Sequence, residues 1–259
     1  MKRYAIIVAG GKGLRMNTGL PKQFIPINGK PVLMYTLEAF FRYDKNIDLI
    51  VVLPVSQQQY WRSICRQYKF VLPHKIADGG ETRFHSVQNG LRQVPDVEES
   101  LIAVHDGVRP FVSRETISEA FKRAKKCGSA VPVIDSVDSV RQLTGEGGVA
   151  LDRSTLKMVQ TPQVFKNDIL KKAYLQRYIS SFTDDASVVE KCGYLISLTK
   201  GNRENIKITT SFDLCIAEAL KSPQNTKAWN KIRRGNFEPS RYRAFKPFIF
   251  KQKFGLRKK

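Results

Sequence analysis

The chain has 259 residues, 42% of them hydrophobic and 26% charged, with four cysteines and a net charge of +21. That length and apolar content suit one substantial folded core and exclude a disordered polypeptide, and no apolar run nears the roughly 20 residues that span a bilayer. Cys65, Cys127, Cys192 and Cys215 are far apart and His74, His85 and His105 lack ligand spacing, which argues against a disulfide frame or zinc site and leaves buried thiols as the expectation.

In chain order, the first element is a strand, "YAIIVAG" at 4–10. It is too short and turns glycine-rich too soon to be a signal peptide, so the expected location is the cytoplasm, with no membrane partner. Further apolar, β-branched runs follow at 47–54, 100–107, 129–135 and 193–201. Nearly continuous rather than alternating, they predict strands covered on both faces. Between them, 31–43, 81–94, 113–128, 166–178 and 184–193 have helical periodicity. Ser113 and Thr183 suit N-caps, while Gly128 and Gly193 suit C-terminal stops. This alternation predicts an α/β fold, a doubly wound and mostly parallel Rossmann-like sheet. Ligands then belong at the carboxyl ends of its strands.

One segment breaks the alternation. Residues 135–165 contain two extended runs around "TGEGG", a projecting β-arm at about 135–160 whose exposed ribbon needs a cover and so predicts a dimer contact. The periodic domain ends near residue 220. Residues 221–259 hold thirteen Lys or Arg and a single acid, Glu238, among scattered aromatics and prolines. They form an appended basic extension with no clear period.

The stretch "AGGKGLRMNTGLPKQ" at 9–23 directly follows the first strand. It lacks the glycine-lysine-hydroxyl triplet of an ATPase P-loop, and Met16 stands where a dinucleotide fingerprint needs its third glycine. What remains is Gly10, Gly11 and Gly13, whose backbone N–H groups can approach a polyphosphate, with Lys12, Arg15 and Lys22 as cations. Displacement of pyrophosphate from a nucleoside triphosphate needs these parts, together with Mg²⁺ bridging phosphate oxygens.

"GGKGLRM" with "PKQF", then "DGGETRFHSV", "VHDGVRPF", "DR" at 152–153, "TPQVF", "TDDAS" and "NIKIT", run in order along about 220 residues. Together they resemble the 2-C-methyl-D-erythritol 4-phosphate cytidylyltransferase family, a subgroup of the sugar nucleotidyltransferases. The resemblance implies a Rossmann-like nucleotidyltransferase domain whose β-arm exchanges contacts across a homodimer. It implies transfer of CMP from CTP, with Mg²⁺, to a polyol phosphate in non-mevalonate isoprenoid synthesis. Arg15 and Lys22 would stabilise the transition state. Ala9, Gly10, Gly11, Gly13, Gly80, Glu81, Arg83, Ser86, Asp106 and Gly107 would contact the nucleotide, with carbonyls at Ala9 and Gly80 and the backbone at Ser86 reading cytosine. Arg153, Lys207, Thr161, Thr183 and Ser136 would position the second substrate, Arg153 and Ser136 coming from the neighbouring subunit. No side chain is assigned to the metal beyond Asp106. His105, with no nucleophile or acid beside it in sequence, is expected to be packed, and Arg109 is a candidate ion-pair partner for Asp106.

Two positions depart from the family's pattern. The usual "DT" of the arm is "DSVDSV" here, with Ser136 at the threonine, and "HDAARP" reads "HDGVRP". Ribitol 5-phosphate is the alternative acceptor. A second alternative is weak, salt-dependent nucleic-acid binding by the tail, where Trp229, Phe237, Tyr242, Phe245, Phe248, Phe250 and Phe254 lie among cations.

Overall fold

A computed structural model describes residues 1–11, 20–96, 99–145 and 147–222. Arg15 and Gly13, and all of the basic extension beyond residue 222, therefore lie outside the described residues. The chain divides into Met1–Glu218 and Ala219–Lys259. Of the second unit only the end of a helix and Ser222 are described.

The first unit is a three-layer α/β structure. Its strands are β1 (Arg3–Val8), β2 (Pro26–Ile27), β3 (Lys30–Pro31), β4 (Asp48–Leu53), β5 (Lys75–Asp78), β6 (Leu101–Asp106), β7 (Ser129–Asp135), β8 (Val140–Thr144), β9 (Gly147–Leu151), β10 (Lys157–Val159), β11 (Gln163–Lys166) and β12 (Leu198–Lys200). Its helices are α1 (Val32–Tyr43), α2 (Val55–Gln67), α3 (Arg83–Leu91), α4 (Arg114–Cys127), α5 (Asn167–Ala173) and α6 (Asp185–Lys191), and α7 (Ser211–Lys221) runs across the division between the units. β5, β4, β1 and β6 are parallel neighbours, and β11 inserts antiparallel between β6 and β7. β10 and β12 extend the sheet beyond, pairing with β7 antiparallel and parallel respectively.

Side chains on a strand alternate between faces, and the two cores follow that rule. Ala5, Ile7, Leu49, Val51, Leu101 and Ala103 pack against α1, α2 and α4, while Tyr4, Ile6, Ile50, Val52, Ile102 and Val104 pack against α3, α5 and α6. That double cover is why the strand sequences read as unbroken apolar runs. The chain winds from β1 to β4 and β5 on one side, then crosses back to β6 on the other. The switch point falls between β1 and β6, and a crevice opens at their carboxyl ends.

Ser113 accepts from the Thr116 N–H at the start of α4, and Gly128 ends that helix at φ 86°, as the sequence predicts. At α6 the expected cap moves by one residue. Asp184, not Thr183, is the N-cap, because its carboxylate accepts from Ser187 N–H while the Ser187 hydroxyl returns the bond to the Asp184 backbone. Gly193 follows α6 at φ 87°. The thiols also differ from expectation: Cys65 and Cys192 are half-buried, and Cys127 and Cys215 are exposed. No described helix is long and apolar enough to cross a membrane.

Among the described residues, β8 and β9 pair with each other alone and form the arm. Leu143, Val149 and Leu151 on it are exposed, as are Met158 and Val159 at its base.

Candidate active site

Three segments meet at the switch point. The loop leaving β1 is tied to β4 by Ala9 N–H donating to Val52 O (2.9 Å), and Gly107 after β6 donates to Val8 O (2.8 Å). A Cβ on Gly107 would lie 2.9 Å from that of Ala9, so glycine lets the two strand ends close on each other. The third segment is the turn before α3. A Cβ on Gly80 would meet His85 Cβ at 2.4 Å and the backbone carbon of His85 at 2.7 Å. Only glycine fits there. Gly80 N–H donates to Ser86 Oγ (3.0 Å), which itself donates to Thr82 O (2.9 Å), fixing the Gly80 peptide plane. The Ser86 backbone N–H is spent inside the helix turn on Thr82 O. Ser86 Oγ lies 3.9 Å from where a Cβ on Gly10 would stand, which brings the first loop and the α3 turn together.

In "PKQ", Lys22 and Gln23 take different tasks. The Lys22 side chain lies against the phosphate loop, its Nζ 3.6 Å from a Cβ placed on Gly11. Gln23 is fully buried and donates through Nε2 to Ala9 O (2.7 Å) and Gln57 Oε1 (2.7 Å). It anchors the short helical turn that carries Lys22 to the strand end. One lone pair of the Ala9 carbonyl is thereby occupied, leaving the other for a ligand.

Asp106 is the centre of charge. Its side chain is 10% exposed, with Lys207 Nζ and Arg109 Nε each 3.1 Å from Oδ2, and Arg83 Nε 3.7 Å from Oδ1. Burial alone would raise its carboxyl, but Arg83, Lys207 and Arg109 overcome that penalty and hold it well below the usual carboxylate range. Asp106 is ionised at any working pH, and its pairing with Arg109 is the one expected from sequence.

A buried chain of hydrogen bonds supports it. Asp106 N–H donates to Thr161 Oγ1 (3.1 Å), Thr161 Oγ1 meets His105 Nδ1 (2.9 Å), and His105 Nε2 meets Arg109 O (3.1 Å). A carbonyl can only accept, so Nε2 carries the proton, Nδ1 accepts, and the Thr161 hydroxyl donates to it. Burial pushes the His105 pKa down to about 4, so the ring is neutral and, as expected, packed. Thr161 is likewise buried, its hydroxyl proton committed to His105. It shapes the backbone at Asp106 rather than presenting a donor to the crevice. Asn205 closes the frame, donating to Thr161 O (2.8 Å) while its own carbonyl accepts from Arg109 (2.8 Å).

Arg83 spans two acids. Its terminal nitrogens pair with both oxygens of Asp185 (2.9 and 2.6 Å), and its Nε edge faces Asp106. Asp185 is completely buried and also accepts from the Tyr174 hydroxyl (2.6 Å). Gln163 of "TPQ" sets the start of α6 beside them, donating to Asp184 Oδ2 (2.7 Å) and accepting from Ala186 N–H (2.8 Å). Gln23, Gln163, Tyr174, Asp185 and Asn205 all lay within or near motifs visible in the sequence, but buried amide and carboxylate partners leave no periodic signal.

Among the described residues, the remaining candidates make no side-chain bond to Asp106. Glu81 and Thr183 are exposed. Arg153 donates to Val137 O (2.5 Å) and Ser136 to Asp138 O (3.0 Å), so these two lie together at the base of the arm. Within one chain no described hydrogen bond or ion pair joins them to Asp106.

The sequence profile of the 2-C-methyl-D-erythritol 4-phosphate cytidylyltransferases matches residues 4–222. The enzyme of that name from Phocaeicola vulgatus is 58% identical over 220 residues, covering 85% of this chain and all of the relative. The Bacteroides thetaiotaomicron enzyme is 54% identical with the same coverage. Among solved structures, the Thermus thermophilus cytidylyltransferase superposes with a TM-score of 0.69 at 31% identity, covering 85% of this chain and 98% of its own. That from Francisella tularensis gives 0.71 at 30%, covering 84% and 98%. These comparisons give the ribitol and nucleic-acid readings no support.

Proposed function

The chain belongs to the 2-C-methyl-D-erythritol 4-phosphate cytidylyltransferase family, CTP-dependent enzymes of isoprenoid biosynthesis, and on that premise we propose how its residues divide the reaction. An oxygen of the substrate's 4-phosphate attacks the α-phosphorus of CTP. The bond to the bridging oxygen breaks, and its electron pair leaves with pyrophosphate. A phosphate nucleophile needs no general base at neutral pH, so the protein's work is positioning and charge stabilisation.

Gly10, Gly11 and Gly13 wrap the triphosphate, and Lys22 with Arg15 meets the charge that builds at the α-phosphoryl group. The position of Lys22 against Gly11 supports this for the lysine. The oriented Gly80 plane, the open lone pair of Ala9 O and Ser86 Oγ suit recognition of the cytosine amine, with Glu81 at the rim and Gly107 allowing close approach. Asp106, Arg83 and Arg109 line the floor. Lys207, 42% exposed beside Asp106, and Thr183 receive the acceptor phosphate.

The described residues contain no group of three metal-ligating side chains. An ionised Asp106 whose Oδ1 lies 3.7 Å from Arg83 Nε fits Mg²⁺, a hard ion commonly held by one or two carboxylates and completed by phosphate oxygens and water. Asp106 would hold it, and the bound ion would neutralise charge on the triphosphate. A homodimer joined through the arms is supported by the exposed Leu143, Val149 and Leu151 on a two-stranded ribbon, which is marginal without a cover. Arg153 and Ser136 would then enter the partner's crevice. We place the reaction in the cytoplasm, where CTP is made.

The observation that carries this reading is the convergence of the glycine loop, the Gly80 turn and the Asp106 cation cluster at one switch point. Its test is pyrophosphate release with CTP or UTP against each polyol phosphate. CTP with 2-C-methyl-D-erythritol 4-phosphate should give the highest kcat/KM, about 10²-fold or more above UTP. Preference for ribitol 5-phosphate would overturn the acceptor assignment.

A further inference from the structure

We propose that Asp185 is a positioning residue for nucleotidyl transfer, one that holds Arg83 in a fixed orientation and at a distance from Asp106. The inference rests on the proposed place of Arg83 in the crevice. Two carboxylates compete for this guanidinium. Asp185 takes it end-on through bonds to both terminal nitrogens, whereas Asp106 Oδ1 stays 3.7 Å from Nε. A planar fork clamped at both terminal nitrogens has no freedom to turn. The clamp is itself fixed, because Asp185 is fully buried in the first turn of α6 and receives the Tyr174 hydroxyl on the oxygen that Arg83 NH1 also contacts.

Without that clamp the nearest described acid for Arg83 is Asp106. The guanidinium would close on Oδ1, the oxygen of Asp106 left open by Arg109 and Lys207, which both sit on Oδ2. The same movement would withdraw Arg83 from its present orientation beside the Gly80 turn. Asp185 thus protects two features at once: an open carboxylate oxygen and an oriented cation. A merely structural ion pair would serve as well with Arg83 collapsed onto Asp106, so the distinction is measurable.

The experiment is a double-mutant cycle in kcat for pyrophosphate release, with Asp185→Asn, Arg83→Gln and the double variant, each checked for thermal unfolding. Asp185→Asn should lower kcat by about tenfold or more with a smaller change in KM for CTP, since small misplacements cost that much and more. The double variant should fall within about twofold of Arg83→Gln, because residues acting as one unit are not additive. Wild-type kcat in folded Asp185→Asn, or losses that multiply in the double variant, would overturn the inference. If Asp185→Asn does not fold, Tyr174→Phe takes its place in the same cycle. It removes one hydroxyl and no charge, and it should lower kcat alone but add nothing to Arg83→Gln. An unchanged kcat in Tyr174→Phe would then count against the proposal. Should Arg83→Gln itself be silent, the crevice role of Arg83 fails, an outcome separate from a silent Asp185→Asn with an impaired Arg83→Gln.

Discussion

At His105 a titratable ring is built into the core beneath the acid it supports, and the consequence is a pH window. Its pKa falls from 6.5 to about 4 on burial. Between those values the unfolded chain takes up a proton that the folded chain refuses, so the stabilisation is complete above pH 6.5 and drains away as pH falls toward 4. The amount is roughly 3 kcal/mol. His74, lowered by burial in the same direction, steepens the loss. Asp106, held well below its ordinary range, keeps its ion pairs through that window. Nitrogen NMR of His105 should show the Nε2–H tautomer unchanged from pH 8 to 5, with unfolding free energy level down to about pH 6.5 and declining below it; a midpoint near 6.5 would contradict the assignment. Arg109 as the partner of Asp106 could be read from "HDGVRP", since it lies three positions further on, just past a strand end. Asp185 and Tyr174 could not be paired with Arg83 in that way, because the contact spans 102 residues and depends on how α3 and α6 pack.

Strands with long apolar runs and helices with a clear apolar stripe were legible, and short or sparsely buried elements were not. β1, β4, β6 and β7 follow their predicted runs closely. α2 escaped notice because only Trp61 and Ile64 along its thirteen residues are buried, too few to set a helical period. β11 escaped because its four residues follow Pro162 and merge into α5. The predicted strand at 193–201 shrinks to β12, three residues on an outer edge. At this scale the turn before α3 makes a sharp prediction. Gly80→Ala would drive a Cβ into backbone at 2.7 and 2.9 Å, and overpacking of that kind costs about 1–3 kcal/mol. Relief requires moving the first turn of α3, with Ser86 and Arg83 on it. KM for CTP should rise about tenfold or more while the protein stays folded at 25 °C; an unchanged KM would show that the turn does not hold the nucleotide.

For the whole molecule, the arm decides whether the site is complete within one chain. Ser136 and Arg153 are held at the arm's base by bonds to Asp138 O and Val137 O. If they act across a dimer, Lys22→Ala and Arg153→Ala subunits are each defective, yet mixing them should restore about a quarter of wild-type activity through heterodimers with one intact site. Leu143→Asp should shift sedimentation toward the monomer and abolish that rescue. No rescue on mixing, in subunits shown to exchange, would place both residues' roles within one chain. The basic extension contributes much of the +21 net charge; the described cations of the crevice, Lys22, Arg83, Arg109 and Lys207, belong to the first unit.

Single-turnover CMP transfer by Lys22→Ala tests most directly whether Lys22 acts on the reacting phosphate rather than on the fold. With CTP and 2-C-methyl-D-erythritol 4-phosphate both saturating, the rate should fall about 10²-fold or more, the cost of removing one charge-stabilising donor. The unfolding temperature should stay close to that of the wild type, since Gln23 rather than Lys22 anchors the turn through Ala9 and Gln57. A loss of less than about tenfold, or a loss explained by unfolding, would contradict that role.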